Sequence, residues 1–227
     1  MILFLAGCQF EPTRVAASDA PDPADAAADA GPPDALDCGQ APILADDFED
    51  GTLCNGWPTP AVTHANVQEL GGHLVILADT GHSFTLGGCI TEGTPVALGG
   101  HSLFVEVPQP SQRESTYAQL KAYLLDQVGY PPIAIKQQND EIQALKNNLV
   151  LDFTSYDESE MRWWRLRSDG SATYYETSPD GRTWSAFATD TSQPQPNTVR
   201  VELLAGTWTT EPSPLEVRFD NLNVCSP

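Results

Sequence analysis

Between residues 74 and 224 the chain is a succession of short apolar or alternating runs cut by turn residues. Leu74-Val75-Ile76-Leu77 is a compact apolar run that follows Gly71-Gly72. Residues 101–107 alternate, with Leu103, Val105 and Val107 on one face. Residues 117–125 set Ala118, Leu120, Ala122 and Leu124 against Tyr117, Gln119, Lys121 and Tyr123, and this period of two fits a strand better than a helix. Ile133-Ala134-Ile135 and residues 141–145 flank Asn139-Asp140, a candidate two-residue turn. Runs at 149–153, 161–167, 173–177, 184–188, 199–204 and 215–224 complete the set. The turns recur at roughly 8–12 residues, which is the spacing of an antiparallel sandwich or barrel. No repeat period is present, so a solenoid or propeller is disfavoured.

One hairpin is readable by residue. A tight turn at Asp169-Gly170 would set Arg167 opposite Ala172, Arg165 opposite Tyr174 and Trp163 opposite Glu176. Trp164 would then face Tyr175 and Leu166 would face Thr173 on the other side, which makes Trp164 and Leu166 core. A three-residue loop with a bulge would slip the register by one and exchange Tyr174 with Tyr175. The turn at Pro179-Asp180-Gly181 leaves the same two choices for Trp184.

Before residue 38 the pattern is different. Residues 9–37 hold nine Ala, six Asp and five Pro, and a segment of that composition cannot bury enough apolar area to offset its ordering entropy. It reads as an extended, self-repelling tether. Ahead of it, Met1-Ile-Leu-Phe-Leu-Ala-Gly-Cys8 is apolar and ends in small residues and a thiol. Leu5-Ala6-Gly7-Cys8 resembles a bacterial lipobox, which implies export and lipidation of Cys8 rather than a spanning helix. Gln9 after the cysteine leans toward the outer membrane or cell surface. No base precedes Cys8, although a signal peptide needs a basic segment there, so residues 1–8 read as a signal remnant whose start lies upstream.

Asp47-Phe48-Glu49-Asp50-Gly51-Thr52-Leu53 with Trp57, then Trp164-Arg165-Leu166-Arg167, Ser178-Pro179-Asp180-Gly181-Arg182-Thr183-Trp184 and Arg218-Phe219-Asp220-Asn221, occur in the order found in concanavalin A-like (laminin G-like) domains of bacterial secreted proteins. Residues 38–227 resemble that group. The resemblance implies an all-β, two-sheet antiparallel jelly-roll sandwich with a concave face and with its first and last strands side by side. With Cys8 assigned to lipid, four cysteines remain, an even number that suggests two disulfides in an exported chain. Adjacent terminal strands favour Cys38–Cys225, which leaves Cys54–Cys89. The same adjacency would bring the acidic start of the domain, Asp46 and Asp47 with Glu49 and Asp50 beside them, toward Asp220, where relatives hold a structural calcium ion. The competing reading is an acidic loop opposite Arg218.

The formal charge is −20, from 31 acids and 11 bases, which argues against nucleic acid as a partner. Catalytic signatures are absent from the sequence. Hydrolases of the resembled fold carry Glu-x-Asp-x-Glu on one strand, so that the carboxyls share a face at the separation glycoside hydrolysis needs. No such motif occurs, and Asp157-Glu158-Ser159-Glu160 lacks the spacing. His64, His73, His82 and His101 are not spaced for a metal or a triad, and no serine lies in a Gly-x-Ser-x-Gly context. The chain is therefore expected not to be an enzyme. Trp163, Arg165, Arg167, Tyr174 and Glu176 could form a sugar-binding face, since sugar rings stack on aromatics and Arg and Glu bond hydroxyls. The competing reading packs Trp163 under a loop and pairs the charges across strands. Together these features predict a monomeric, lipid-anchored envelope protein with a non-catalytic module that binds glycan. The alternatives are a structural or interaction lipoprotein with an envelope protein as partner, and behind both a divergent glycoside hydrolase.

Overall fold

The computed structural model describes residues 44–224, except 56, 58, 92–94, 112, 193–194, 211 and 214. Contacts divide the chain into residues 1–33 and 34–227, and everything described lies in the second unit. The lipobox, the tether and the Cys38–Cys225 pair lie outside the described residues.

Fifteen strands form two antiparallel sheets. The first sheet runs in the order β1 (Thr59–Thr63), β4 (Thr85–Ile90), β14 (Thr198–Thr207), β7 (Thr116–Leu124), β8 (Pro132–Gln138), β9 (Glu141–Lys146) and β10 (Leu149–Ser155), with β5 (Val96–Ala97) also paired to β14. The second runs β13 (Ser185–Asp190), β12 (Thr173–Ser178), β11 (Trp163–Ser168), β6 (Ser102–Gln109), β15 (Leu215–Asp220), β3 (Leu74–Ala78) and β2 (Ala65–Glu69). The jelly-roll sandwich expected from the sequence is present.

The core lies between the sheets and follows the alternation. Ala118, Leu120, Ala122 and Leu124 of β7, with Val199, Val201, Leu203 and Ala205 of β14, meet Leu103, Val105, Trp164, Leu166, Tyr175 and Phe219 from the other sheet. Burying these side chains is the main stabilising term. Two polar ties cross the gap. Tyr175 Oη donates to the Leu145 carbonyl at 3.2 Å, and Lys146 Nζ reaches Asp190 at 2.6 Å and Ser192 Oγ at 2.7 Å. Cys54 and Cys89 form a disulfide that fastens the N-terminal loop to β4.

The β11–β12 hairpin differs from the tight-turn reading by two residues. Arg167 faces Tyr174, Arg165 faces Glu176 and Leu166 faces Tyr175. The cause is Asp169, whose Oδ1 accepts from the amides of Ser171 and Ala172 at 2.8 and 2.9 Å and holds a longer loop. An even shift keeps every side chain on its face, so Trp164 and Leu166 remain core. By contrast Gln138 pairs directly with Glu141, so Asn139-Asp140 is the two-residue loop the sequence predicts. The run at 215–224 ends as a strand at Asp220.

Candidate functional site

All fifteen strands belong to the two sheets, so no strand covers the outer face of the first sheet. The residues on that face are the ones the core alternation turns outward. The register sets Ile90, Glu202, Lys121, Ala134 and Leu145 in one cross-strand row. The next row is Gly88, Leu204, Gln119, Lys136 and Gln143, followed by Leu86, Gly206, Tyr117, Gln138 and Glu141. Glu202, Gln119, Tyr117 and Ala134 are each less than a tenth exposed although no strand lies over them. The centre of this face is therefore a recessed floor.

Its chemistry is concentrated in a few contacts. Arg200 Nη2 donates to Glu202 Oε1 at 2.9 Å. The Arg200 guanidinium lies 4.3 Å from the Tyr123 ring centroid and Lys121 Nζ lies 4.6 Å from it. Lys136 Nζ stands 5.9 Å from the Tyr117 ring. Burial pushes the Glu202 carboxyl above the usual carboxylate range, against the opposing pull of Lys121 and Arg200. Burial also holds the Lys136 ammonium below its ordinary value. Trp208 stacks on Tyr117 with centroids 4.9 Å apart, and Phe84 lies 5.5 Å from Trp208. Trp208 is 51% exposed and Phe84 39%, so this aromatic shelf is open to solvent beside the floor.

The patch singled out in the sequence lies elsewhere. Trp163, Arg165, Arg167, Tyr174 and Glu176 share the outer face of the second sheet, where they bind one another. Trp163 is buried against the turn at Gly181. Glu176 accepts from Arg165 Nε at 2.6 Å and from Arg167 Nη2 at 3.0 Å. Arg165 lies over Trp184 at 4.3 Å and Arg167 over Tyr174 at 4.0 Å. That is the arrangement of the competing reading, with charges paired across strands.

The proposed calcium ligands do not converge. Asp220 turns to His73, with its carboxylate 3.2 Å from Nδ1, while Asp46 Oδ1 accepts from the Phe48 amide at 2.9 Å and Asp47 Oδ1 from the Glu49 amide at 3.2 Å. Asp46 bridges to Leu222, two residues beyond Asp220 and on the opposite side of the alternation. Among the described residues no group of three His, Cys, Asp or Glu is placed to hold a metal ion. These residues do not fit calcium. They do make stability depend on pH. Burial, helped by Asp50 and Asp47, pushes the Asp46 carboxyl up to about 6 against the Phe48 bond. A raised carboxyl favours the fold below its unfolded value near 3.8, and that contribution is lost as pH rises through about 6. Asp46→Asn, which keeps the acceptor for Phe48, should stabilise the protein at pH 7 by on the order of 2 kcal/mol and have no effect at pH 4. Urea midpoints at the two pH values check this, and an equal change at both would refute it.

No protein-family model and no curated protein matches this sequence. Solved structures do. The catalytic domain of an endo-1,3-β-glucanase (laminarinase) from Thermotoga petrophila RKU-1 superposes with a TM-score of 0.61 at 10% identity, over 80% of this chain and 95% of that one. The fold is that of the GH16 glycoside hydrolases. A GlcNAcα1-4Gal-releasing endo-β-galactosidase from Clostridium perfringens matches at 0.59 and 12% identity, over 80% of this chain and 61% of that one. The Bacillus licheniformis β-glucanase matches at 0.54 and 10%, over 79% and 95%. Two sequence-based expectations are corrected by this likeness, the non-catalytic lipoprotein module and the absence of enzyme activity. Both rested on a missing Glu-x-Asp-x-Glu strand, and that criterion examines the spacing within one strand. The floor described above draws its polar groups from β7, β8 and β14, which no local motif can display.

Proposed function

We propose that the protein is a polysaccharide-active enzyme of the GH16-like fold and that it works on the open face of its first sheet. The observation that carries this reading is Glu202, a buried carboxyl raised above its ordinary range and flanked by Arg200 and Lys121 at the floor of that face. A carboxyl of this kind retains its proton at higher pH than a free one and can donate it to a glycosidic oxygen. Lys121 and Arg200 then stabilise the carboxylate left behind. The Trp208–Tyr117 shelf supplies a stacking surface for sugar rings beside that point. Among the described residues the other carboxylate on the floor is Glu141. Three strands and four residues separate it from Glu202, roughly 20 Å at ordinary strand spacing. That exceeds the separation of about 5–9.5 Å of a hydrolytic carboxyl pair. The role assigned to this chain is accordingly proton transfer by one carboxyl. A chain exported and held at a cell surface through Cys8 would meet such polymers outside the cell.

Incubation of the full chain with β-1,3-glucan, mixed-linkage β-glucan, β-galactan and uronate polymers, followed by sizing of the products, tests the reading. Shortening of at least one polymer is expected. Glu202→Gln should slow it by at least ~100-fold, the range for loss of a general acid, with an unchanged near-ultraviolet spectrum. An unaltered rate in that variant, or no shortening by the native protein, would refute the assignment.

A further inference from the structure

We infer that the polymer taken by this face is anionic, with carboxylate or sulfate groups on its sugars. This rests on the reading of the open face as the polysaccharide site. The argument starts from the charge count. With 31 acids and 11 bases, a base in this chain rarely lacks a carboxylate partner by chance. Lys146, Arg162, Arg165, Arg167 and Arg218 each have a carboxylate of this chain within 3.0 Å. Lys121 and Lys136 have none within 4 Å among the described residues, and both lie on the open face. Arg200, on the same face, gives Nη2 to Glu202, while its Nε is buried without a hydrogen-bond partner. Three cations thus stand over one central carboxylate in a protein whose net charge is strongly negative.

The donors are also arranged for oxyanions. Gln119, Lys136 and Gln143 occupy adjacent positions in one row across β7, β8 and β9. Neighbouring strands lie about 4.8 Å apart, a spacing at which two donors can share one carboxylate or sulfate group. The Gln119 amide has no hydrogen-bond partner among the described residues, and Lys136 contacts only the Tyr117 ring. A neutral sugar would leave the Lys136 ammonium in a recessed site without a counter-charge, and burial already weighs against its charged form. An anionic group bound there reverses that penalty. The acidic bulk of the molecule repels anions elsewhere, so they collect at this one face.

The test is isothermal titration of the full chain with polygalacturonate, dextran sulfate and neutral laminarin, each at 50 and 500 mM NaCl. One anionic polymer should bind at least ~10-fold more tightly than laminarin at low salt and lose about 10-fold at high salt, because screening acts on charge contacts. Which of the two binds identifies carboxylate or sulfate as the group recognised. Lys136→Met, and independently Lys121→Met, should remove the preference for the anionic polymer while laminarin affinity changes less than about two-fold. Laminarin binding equal to or tighter than both anionic polymers, lost in Trp208→Ala, would overturn the charge assignment and leave the site standing. Anionic binding unchanged in both lysine variants would overturn it as well. Absence of binding by any polymer, or binding that survives Trp208→Ala together with both lysine variants, would overturn the charge assignment and the site with it.

Discussion

Gly88→Ala should leave little folded protein. Gly88 sits in β4 opposite Leu204 of β14, at φ +155°. A Cβ there would lie 1.9 Å from the Leu203 carbonyl oxygen and 2.9 Å from its carbon. Those are backbone atoms, so no rotamer change relieves the clash. The strands must part, and with them goes the attachment of β4 and β1 to the sheet, together with the anchor point of the Cys54–Cys89 disulfide. A loss above about 5 kcal/mol is expected, in the range where single substitutions disable marginally stable domains. Gly170→Ala separates this from backbone strain. Gly170 also has a positive φ, +85°, but a Cβ there meets nothing within 4 Å. That variant should cost only about 1 kcal/mol. Urea unfolding of the two proteins provides the comparison. A Gly88→Ala variant within about 1 kcal/mol of the native protein would show that β4 and β14 do not approach as closely as described.

The same glycine shows why parts of the fold were not legible in the sequence. Thr85–Ile90 contains Gly87-Gly88, which weakens any strand signal, yet β4 is a strand because its neighbours leave no room for side chains. Close approach is a property of the partner, and the partner is more than a hundred residues away in β14. By contrast β7 was legible in full. Its inward Ala118, Leu120, Ala122 and Leu124 pack in the core, and its outward Tyr117, Gln119, Lys121 and Tyr123 line the floor. The alternation identified those outward residues without revealing what stands beside them. Lys136 and Glu202 reach the floor through pairing that links β8, β7 and β14 in space. Trp208 and Phe84, which form the shelf, lie just past the end of β14 and just before β4, so only the register brings them together. The Trp163 patch drew notice because its residues are close in sequence. Closeness across one hairpin also lets such residues satisfy one another, which is what they do.

Glu176→Gln is expected to be the most damaging change on that second face. Glu176 is buried and holds Arg165 at 2.6 Å and Arg167 at 3.0 Å. The Arg165 side chain is itself only 8% exposed. The glutamine keeps the shape and removes the charge, so Arg165 stays buried without its carboxylate. Breaking a buried pair in this way costs about 3–5 kcal/mol. Arg167 is 31% exposed, and Arg167→Ala should cost no more than about 1 kcal/mol, because solvent screens that half of the network. The pair Arg165→Met with Glu176→Leu should recover most of the loss, since apolar replacement of both partners removes the desolvation penalty together with the attraction. The three variants form a cycle whose coupling term reads the pair directly. Near-additive losses in the double variant would mean that the two charges are held by other groups. If the coupling is as large as the burial implies, the patch is a brace for the β11–β12 hairpin. A brace has no hydrogen-bonding capacity to spare for a sugar. The open face of the first sheet, where Lys121 and Lys136 have no carboxylate partner among the described residues, keeps that capacity.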